Sequence, residues 1–215
     1  MTRHLGILMM AALCTGRLAA QTSTTGNAQA SNAKTNPWDY NLSVSGTIVA
    51  HGPSFVSPVF TADHDWLHLE GRYNYEAQHT GSLWVGYDFN VGKKVTLDAT
   101  PMVGGVFGDV TGVAPGLEFT VTYKKWQFYS ANEYVFDTDT GAASFFYTWT
   151  QLTYSPVPWF SGGYVIQRTR AYTTALDVQR GLYLGFRHKK LNLSTQIFNF
   201  GWIDPTWVLA VGYSF

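Results

Sequence analysis

The last ten residues, Thr206-Trp-Val-Leu-Ala-Val-Gly-Tyr-Ser-Phe215, restrict the fold more than any other stretch. Side chains of a strand alternate between its two faces. Trp207, Leu209, Val211, Tyr213 and Phe215 therefore share one face, which is bulky and apolar. Thr206, Val208, Ala210, Gly212 and Ser214 share the other, which is mostly small. A greasy face that continues to a terminal aromatic residue suits a strand with lipid on one side and a lumen on the other.

The composition agrees with a sheet in lipid. The chain is 16% aromatic, has 21 glycines and is only 13% charged, which is unusual for a soluble domain and ordinary for a transmembrane β-barrel. Residues 1–20 have the form of a secretory signal. Arg3 and His4 start it, Leu5 to Cys14 is an apolar run too short to span a bilayer, and Leu18-Ala19-Ala20 precedes a cut before Gln21. Ala11-Ala12-Leu13-Cys14 is similar to a lipidation site, but Leu13 stands where a small residue is needed. Cleavage removes the single cysteine, so no disulfide is expected. It also removes Arg3 and Arg17, leaving 12 basic against 14 acidic residues and a net charge of −2. That balance argues against nucleic acid as a partner. No later segment has the run of apolar residues that a membrane helix needs.

Residues 21–37 (QTSTTGNAQASNAKTNP) are polar and small, and predict a disordered periplasmic leader. Residues 38–215 predict strands separated by tight turns. Six of the seven lysines form the pairs Lys93-Lys94, Lys124-Lys125 and Lys189-Lys190, spaced by 31 and then 65 residues. Ser155-Pro-Val-Pro158 falls midway through the longer gap, and Asp63-His64-Asp65 extends the period backward. A hairpin unit of about 32 residues, with these turns on the periplasmic side, follows. Trp66, Trp126 and Trp159 each come directly after such a turn, which predicts an interfacial aromatic girdle. Trp202 and Trp207 flank Ile203-Asp-Pro-Thr206 and predict the opposite girdle. The expected strands are 39–50, 55–62, 66–76, 81–91, 95–107, 113–123, 126–137, 143–155, 159–172, 177–188, 191–203 and 206–215. The expected fold is thus an all-β, up-and-down antiparallel barrel of about twelve strands. Pro53 and Pro58 interrupt the first two, so ten strands is the alternative.

The inner face is predicted from charge. An arginine facing lipid at mid-depth costs about 2–4 kcal/mol. In 66–76, His68, Glu70, Arg72, Asn74 and Glu76 therefore point to the lumen, opposite Leu67, Leu69, Gly71, Tyr73 and Tyr75. The same rule turns Asp88, Asp98, Glu118, Glu133 and Arg187 inward. Turning Glu133 inward leaves Asn132 facing lipid, unless a β-bulge switches the faces. These groups have two readings. Arg72 and Arg187 neutralise Glu70, Glu118, Glu133 and Asp98 in a buried network, or the groups line a pore that selects a small polar solute. In 159–172, Arg168 and Arg170 share a face with Tyr164 and Ile166. Either a β-bulge switches the faces, or the two arginines, joined by Arg180, stand at an outer rim that meets lipopolysaccharide phosphates.

The terminal strand resembles the closing strand of bacterial outer-membrane β-barrels. The resemblance implies that Phe215 and Tyr213, the aromatic two residues before it, are read by the barrel assembly machinery. It also implies outer-membrane localisation with both ends periplasmic. The function expected is a narrow passive pore for small polar solutes, with a closed envelope-stabilising barrel as the alternative. An outer-membrane lipid-modifying enzyme ranks third. His68 with Glu70 and Arg72 is the one acid–base candidate for it, and no catalytic residue is assigned. No zinc, phosphate-loop or nucleotide motif occurs, so neither a cofactor nor a metal is expected. The sequence does not specify an oligomeric state.

Overall fold

The computed structural model describes residues 38–49, 54–139, 144–169, 178–201 and 205–215. The signal and leader segments, Arg170, Trp202 and the side chain of Arg168 lie outside the described residues. Among the described residues, thirteen strand segments follow one another: β1 (Asp39–Val49), β2 (Phe55–His64), β3 (Leu67–Tyr73), β4 (Thr80–Tyr87), β5 (Phe89–Gly92), β6 (Val95–Gly108), β7 (Gly112–Tyr123), β8 (Trp126–Asp137), β9 (Phe145–Val157), β10 (Phe160–Thr169), β11 (Val178–His188), β12 (Leu191–Phe198) and β13 (Thr206–Ser214). Every pairing is antiparallel. β4 and β5 both pair with β6 in one unbroken register, from Thr80↔Gly108 to Gly92↔Thr96. They form a single stave that passes through Asp88. β1 pairs with β13 from Asn41↔Ser214 to Val49↔Thr206, which closes the ring. The result is a closed barrel of twelve staves. The ten-strand alternative does not hold: Pro58 is accommodated inside β2, paired with Val44.

The barrel is inside-out relative to a soluble protein. On β13, Leu209 is 51% exposed while its neighbour Val208 is fully buried. On β1, Leu42, Val44 and Ile48 face out, and Ser43, Ser45 and Thr47 are buried inside. On β4, Leu83, Val85 and Tyr87 face out, and Ser82 and Trp84 face in. A continuous apolar belt of this kind would drive aggregation in water. It is the exterior of a transmembrane barrel, where hydrocarbon solvates the belt and every backbone group must find a partner within the sheet.

The tight turns gather on the rim where β1 starts and β13 ends, and where the Phe215 amide donates to the Tyr40 carbonyl at 2.9 Å. They fall at Asp65-Trp66, Lys93-Lys94, Lys124-Lys125, Pro158-Trp159 and Lys189-Lys190. Asp65, Lys124 and Lys189 hold positive φ angles of 53°, 55° and 55°, the left-handed geometry that two-residue hairpins need. Two turns are displaced from expectation. β9 continues through Ser155 and Pro156 to Val157, so the turn is Pro158-Trp159. β2 runs through Asp63 and His64, so only Asp65 of that triplet lies in the turn. Trp66, Trp126 and Trp159 stand exposed along this rim, with Trp66 stacked on Tyr87 and Trp126 against Tyr154. Tyr213 packs edge-on against Phe215 beside them. Trp207 is exposed at the opposite end of β13.

The β8 ambiguity resolves without a bulge. Glu133 is buried inside and Asn132 faces out, in a register that does not shift among the described pairs. Its carboxamide is served locally: Nδ2 donates to Ser130 Oγ at 3.0 Å, and Oδ1 accepts from Thr148 Oγ1 at 2.8 Å. β10 does contain an irregularity, between Phe160 and Gly162 where it pairs with β9. Above it Tyr164 and Ile166 face out and Val165 and Gln167 face in. Arg180 is exposed on β11, opposite Ile166.

Leu209 lies between the two aromatic levels of β13. Leu209→Arg is expected to destabilise the barrel by about 2–4 kcal/mol, measured by denaturant titration of protein refolded into lipid vesicles. A loss near zero would show that this face does not contact hydrocarbon.

Candidate functional site

β3 is short, and its end builds a buried, charged cluster in the interior. The strand stops at Tyr73, three residues before the expected boundary. Asn74 takes a positive φ of 52° and starts a turn. Its Oδ1 accepts from the His79 amide at 2.8 Å, its Nδ2 donates to the Val56 carbonyl at 3.0 Å, and its own amide donates to the Thr80 carbonyl at 2.8 Å. Asn74 thus fastens the connection rather than lining the interior from a strand. With both ends of this segment pinned, Tyr75 and Glu76 fold inside the barrel and are buried. Glu76 is an interior group, as expected, but it arrives from a turn.

Arg72 occupies the centre of the cluster, its side chain only 2% exposed. Nε donates to Glu70 Oε1 at 2.7 Å and Nη2 to Glu70 Oε2 at 3.2 Å, a bidentate pair. Nη1 donates to Glu133 Oε2 at 2.8 Å, and Nη2 to Glu118 Oε1 at 3.2 Å. Glu76 Oε1 lies 3.6 Å from Nη1. The guanidinium is also held between two rings, 4.3 Å from the Tyr75 centroid and 4.5 Å from the Trp84 centroid, a geometry in which cation–π attraction adds to the ion pairs. Glu76 is fixed in turn, because Ser82 Oγ donates to its Oε1 at 2.6 Å and Trp84 Nε1 approaches the same oxygen at 3.3 Å. Two interior glycines give the indole its space. A Cβ on Gly104 would stand 2.4 Å from the Trp84 ring, and one on Gly116 would stand 3.0 Å from it.

His68 extends the cluster toward the turn-bearing rim. Nδ1 is 2.6 Å from Asp63 Oδ1 and Nε2 is 3.2 Å from Glu70 Oε2. Both nitrogens face carboxylates, the bonding pattern of a doubly protonated imidazolium. No ring nitrogen is left to accept a proton, which removes the feature that made His68 a candidate base. Asp63, His68 and Asp88 each bring one oxygen or nitrogen within 4.8 Å of the others, but a ring that donates from both nitrogens has no lone pair for a metal.

The remaining expected lumen residues are spread along the wall. Asp88 accepts from Thr100 Oγ1 at 2.5 Å, and Asp98 accepts from Asn90 Nδ2. Arg187 is half-buried near the turn-bearing rim, where its Nε donates to Asn192 Oδ1 at 3.1 Å. Thus, of the two arginines expected to neutralise the glutamates, Arg72 is the one bonded to them among the described residues. The expectation that Arg187 shares in neutralising them is corrected, since its bond runs to a neutral amide. Sequence reasoning also passed over Tyr75, Ser82, Trp84 and Asp63. Ser82 and Trp84 alternate in phase with Asp88, so that face was readable. Asp63 was assigned to a turn, and Tyr75 to the lipid face of a strand that ends before it.

The cluster converts four separated glutamates into one bonded unit. Arg72→Met is expected to cost about 3–5 kcal/mol, because it leaves buried carboxylates without a counter-charge. The deficit should shrink at acid pH, where protonated carboxyls need no partner, as read by denaturant midpoints at two pH values. A neutral substitution at all pH values would mean that the guanidinium contributes nothing to the fold.

No family model matches the sequence, and no curated protein matches it. Solved structures do. The chain is similar to the KdgM porin with a TM-score of 0.59 and 12% identity, over 81% of this chain and 99% of that one. A KdgM porin in complex with disordered oligogalacturonate gives a TM-score of 0.59 at 10% identity, with the same coverage. The NanC porin in a rhombohedral crystal form gives 0.52 at 10% identity, over 81% and 98%. At such identities the likeness is one of fold: the protein has the closed, outer-membrane type of β-barrel that these porins have.

Proposed function

We propose that the barrel is a narrow passive channel for small polar solutes in the outer membrane of a bacterium with two membranes. The observation that carries this reading is the interior of a twelve-stave barrel lined with charged and hydrogen-bonding groups. Eight staves leave an interior that side chains just fill, and sixteen or more leave an open channel. Twelve leave room for a bore that a local cluster can narrow. The Arg72 cluster and the inward Tyr75-Glu76 segment supply that narrowing. The fold shared with proteins described as porins, one of them with an oligogalacturonate, supports solute passage. In this reading the lysine-bearing turns and both ends face the periplasm, and Tyr213 and Phe215 are presented to the assembly machinery. The belt meets membrane lipid. Arg180, together with Arg168 and Arg170, is assigned to lipopolysaccharide at the outer rim.

A closed, envelope-stabilising barrel is the second reading. The observation that favours it is the complete burial of Trp149, Tyr147, Val165 and Val208 inside the barrel. Planar-bilayer recording of the refolded protein separates the two. A channel gives stepwise current, and Tyr75→Ala, which removes a ring from the constriction, raises the unit conductance about twofold. Silence at every voltage in both proteins means a closed barrel.

A further inference from the structure

The hydrocarbon-facing wall carries polar side chains at a depth where lipid offers them no partner. Away from the strand ends, the outward positions of the described strands hold apolar, aromatic or glycine residues almost throughout. Thr195 on β12 is an isolated exception. The other exceptions lie together, as the paired positions Ser130↔Thr150 and Asn132↔Thr148 on β8 and β9. Trp126 and Tyr154 flank this block toward the turn-bearing rim, and Tyr134, Phe136 and Phe146 flank it on the other side. The block therefore sits at mid-belt, where neither water nor a headgroup can bind it.

The block satisfies itself only in part. Ser130 is buried beneath it, and its Oγ accepts one N–H of Asn132. Thr148 Oγ1 donates to Asn132 Oδ1, and the Ser130 and Thr150 hydroxyls lie 3.4 Å apart. A carboxamide has two N–H groups and an oxygen with two lone pairs. Asn132, which is partly exposed, therefore keeps a donor and an acceptor to spare among the described residues. Thr148 has given its proton to Asn132 and keeps an acceptor. Acyl chains meet neither need, whereas a second surface of the same kind meets both. Beside the block, a groove of about 530 Å³ opens in the same outward wall, lined by Leu152, Tyr154, Tyr164, Leu182 and Leu184. Gly162 lies among them and brings no side chain. On the other side of the block Phe119 and Phe128 form an outward pair, with ring centroids 5.9 Å apart.

We propose that this outward face of β8 and β9 joins two copies of the chain side by side in the membrane. Both copies insert in the same sense, so the two-fold axis relating them runs along the membrane normal. Each residue then lies at the depth of its own counterpart. Asn132 and Thr148 of one copy meet those of the other at the centre, donor to acceptor. The same rotation sets the Phe119–Phe128 pair of each copy toward the groove of the other. A ridge and a groove on opposite sides of a self-complementary centre are what an isologous contact requires. Polar contacts of this kind hold membrane segments together because hydrocarbon supplies no competing partner. The inference is independent of whether the barrel conducts.

The test is sedimentation equilibrium of the refolded protein in density-matched detergent micelles, over a range of protein-to-detergent ratios. The expected result is a reversible dimer. The Asn132→Leu, Thr148→Val double variant should raise the dimer dissociation constant about tenfold or more. Thr195→Val, on β12 and away from the block, should leave it unchanged. Retention of the fold is checked by the heat-dependent shift in gel mobility of a closed barrel. If the double variant does not fold, Thr150→Val replaces it, with a weakening of about threefold expected. A protein that is monomeric at every ratio overturns the proposal, as does a trimer or larger ring. An unchanged dissociation constant in a folded variant, or an equal weakening by Thr195→Val, places the contact on another face and overturns it too.

Discussion

The structure depends on the pairing of β1 with β13. In hydrocarbon no water is available to an unpaired N–H or C=O, so a sheet with free edges cannot exist there. Nine paired positions from Asn41↔Ser214 to Val49↔Thr206 remove the last edge. Once closure is imposed, alternation assigns every side chain to lipid or to the interior. Small groups on one face of β13 and hydroxyls on one face of β1 then become interior groups. The bulky faces form the belt.

Closure also creates the interior problem that Arg72 answers. Carboxylates turned inward are withdrawn from bulk water, and each needs donors. A guanidinium suits this better than an ammonium, because its planar fork serves several carboxylates in fixed directions while its faces stack on rings. Arg72 uses both properties, with Glu70 held bidentately and Tyr75 and Trp84 on its faces. The support runs outward from there. Ser82 fixes Glu76, Asp63 fixes His68, and Gly104 and Gly116 leave the slot for the indole.

Much of this was legible in the sequence, for identifiable reasons. The expectations that depended on period 2 succeeded: the faces of β13 and of β3, and the stave count that spaced turns implied. Boundaries were less accessible. Nothing in Tyr73-Asn74-Tyr75-Glu76 breaks alternation, so the strand seemed to continue. Asn74 ends it by entering the left-handed region and binding across the turn, a tertiary choice that Asn tolerates but does not announce. The triplet Asp63-His64-Asp65 looked like plain turn chemistry, although the first residue still belongs to β2 and reaches His68. Asn132 looked like a conflict because its polar partners, Ser130 and Thr148, stand on its own strand and on the next.

The segment between Asn74 and His79 separates two properties of the molecule. The wall is set by strand register, which cannot change by one residue without exchanging lipid-facing and interior side chains. How the interior is filled at the Arg72 level is set in part by how far one short connection dips inward, where Tyr75 and Glu76 are buried. Residues can be inserted, removed or exchanged there while all the ladder pairs stay in place. Such a barrel can change what fills its interior during evolution without renegotiating its contract with the membrane.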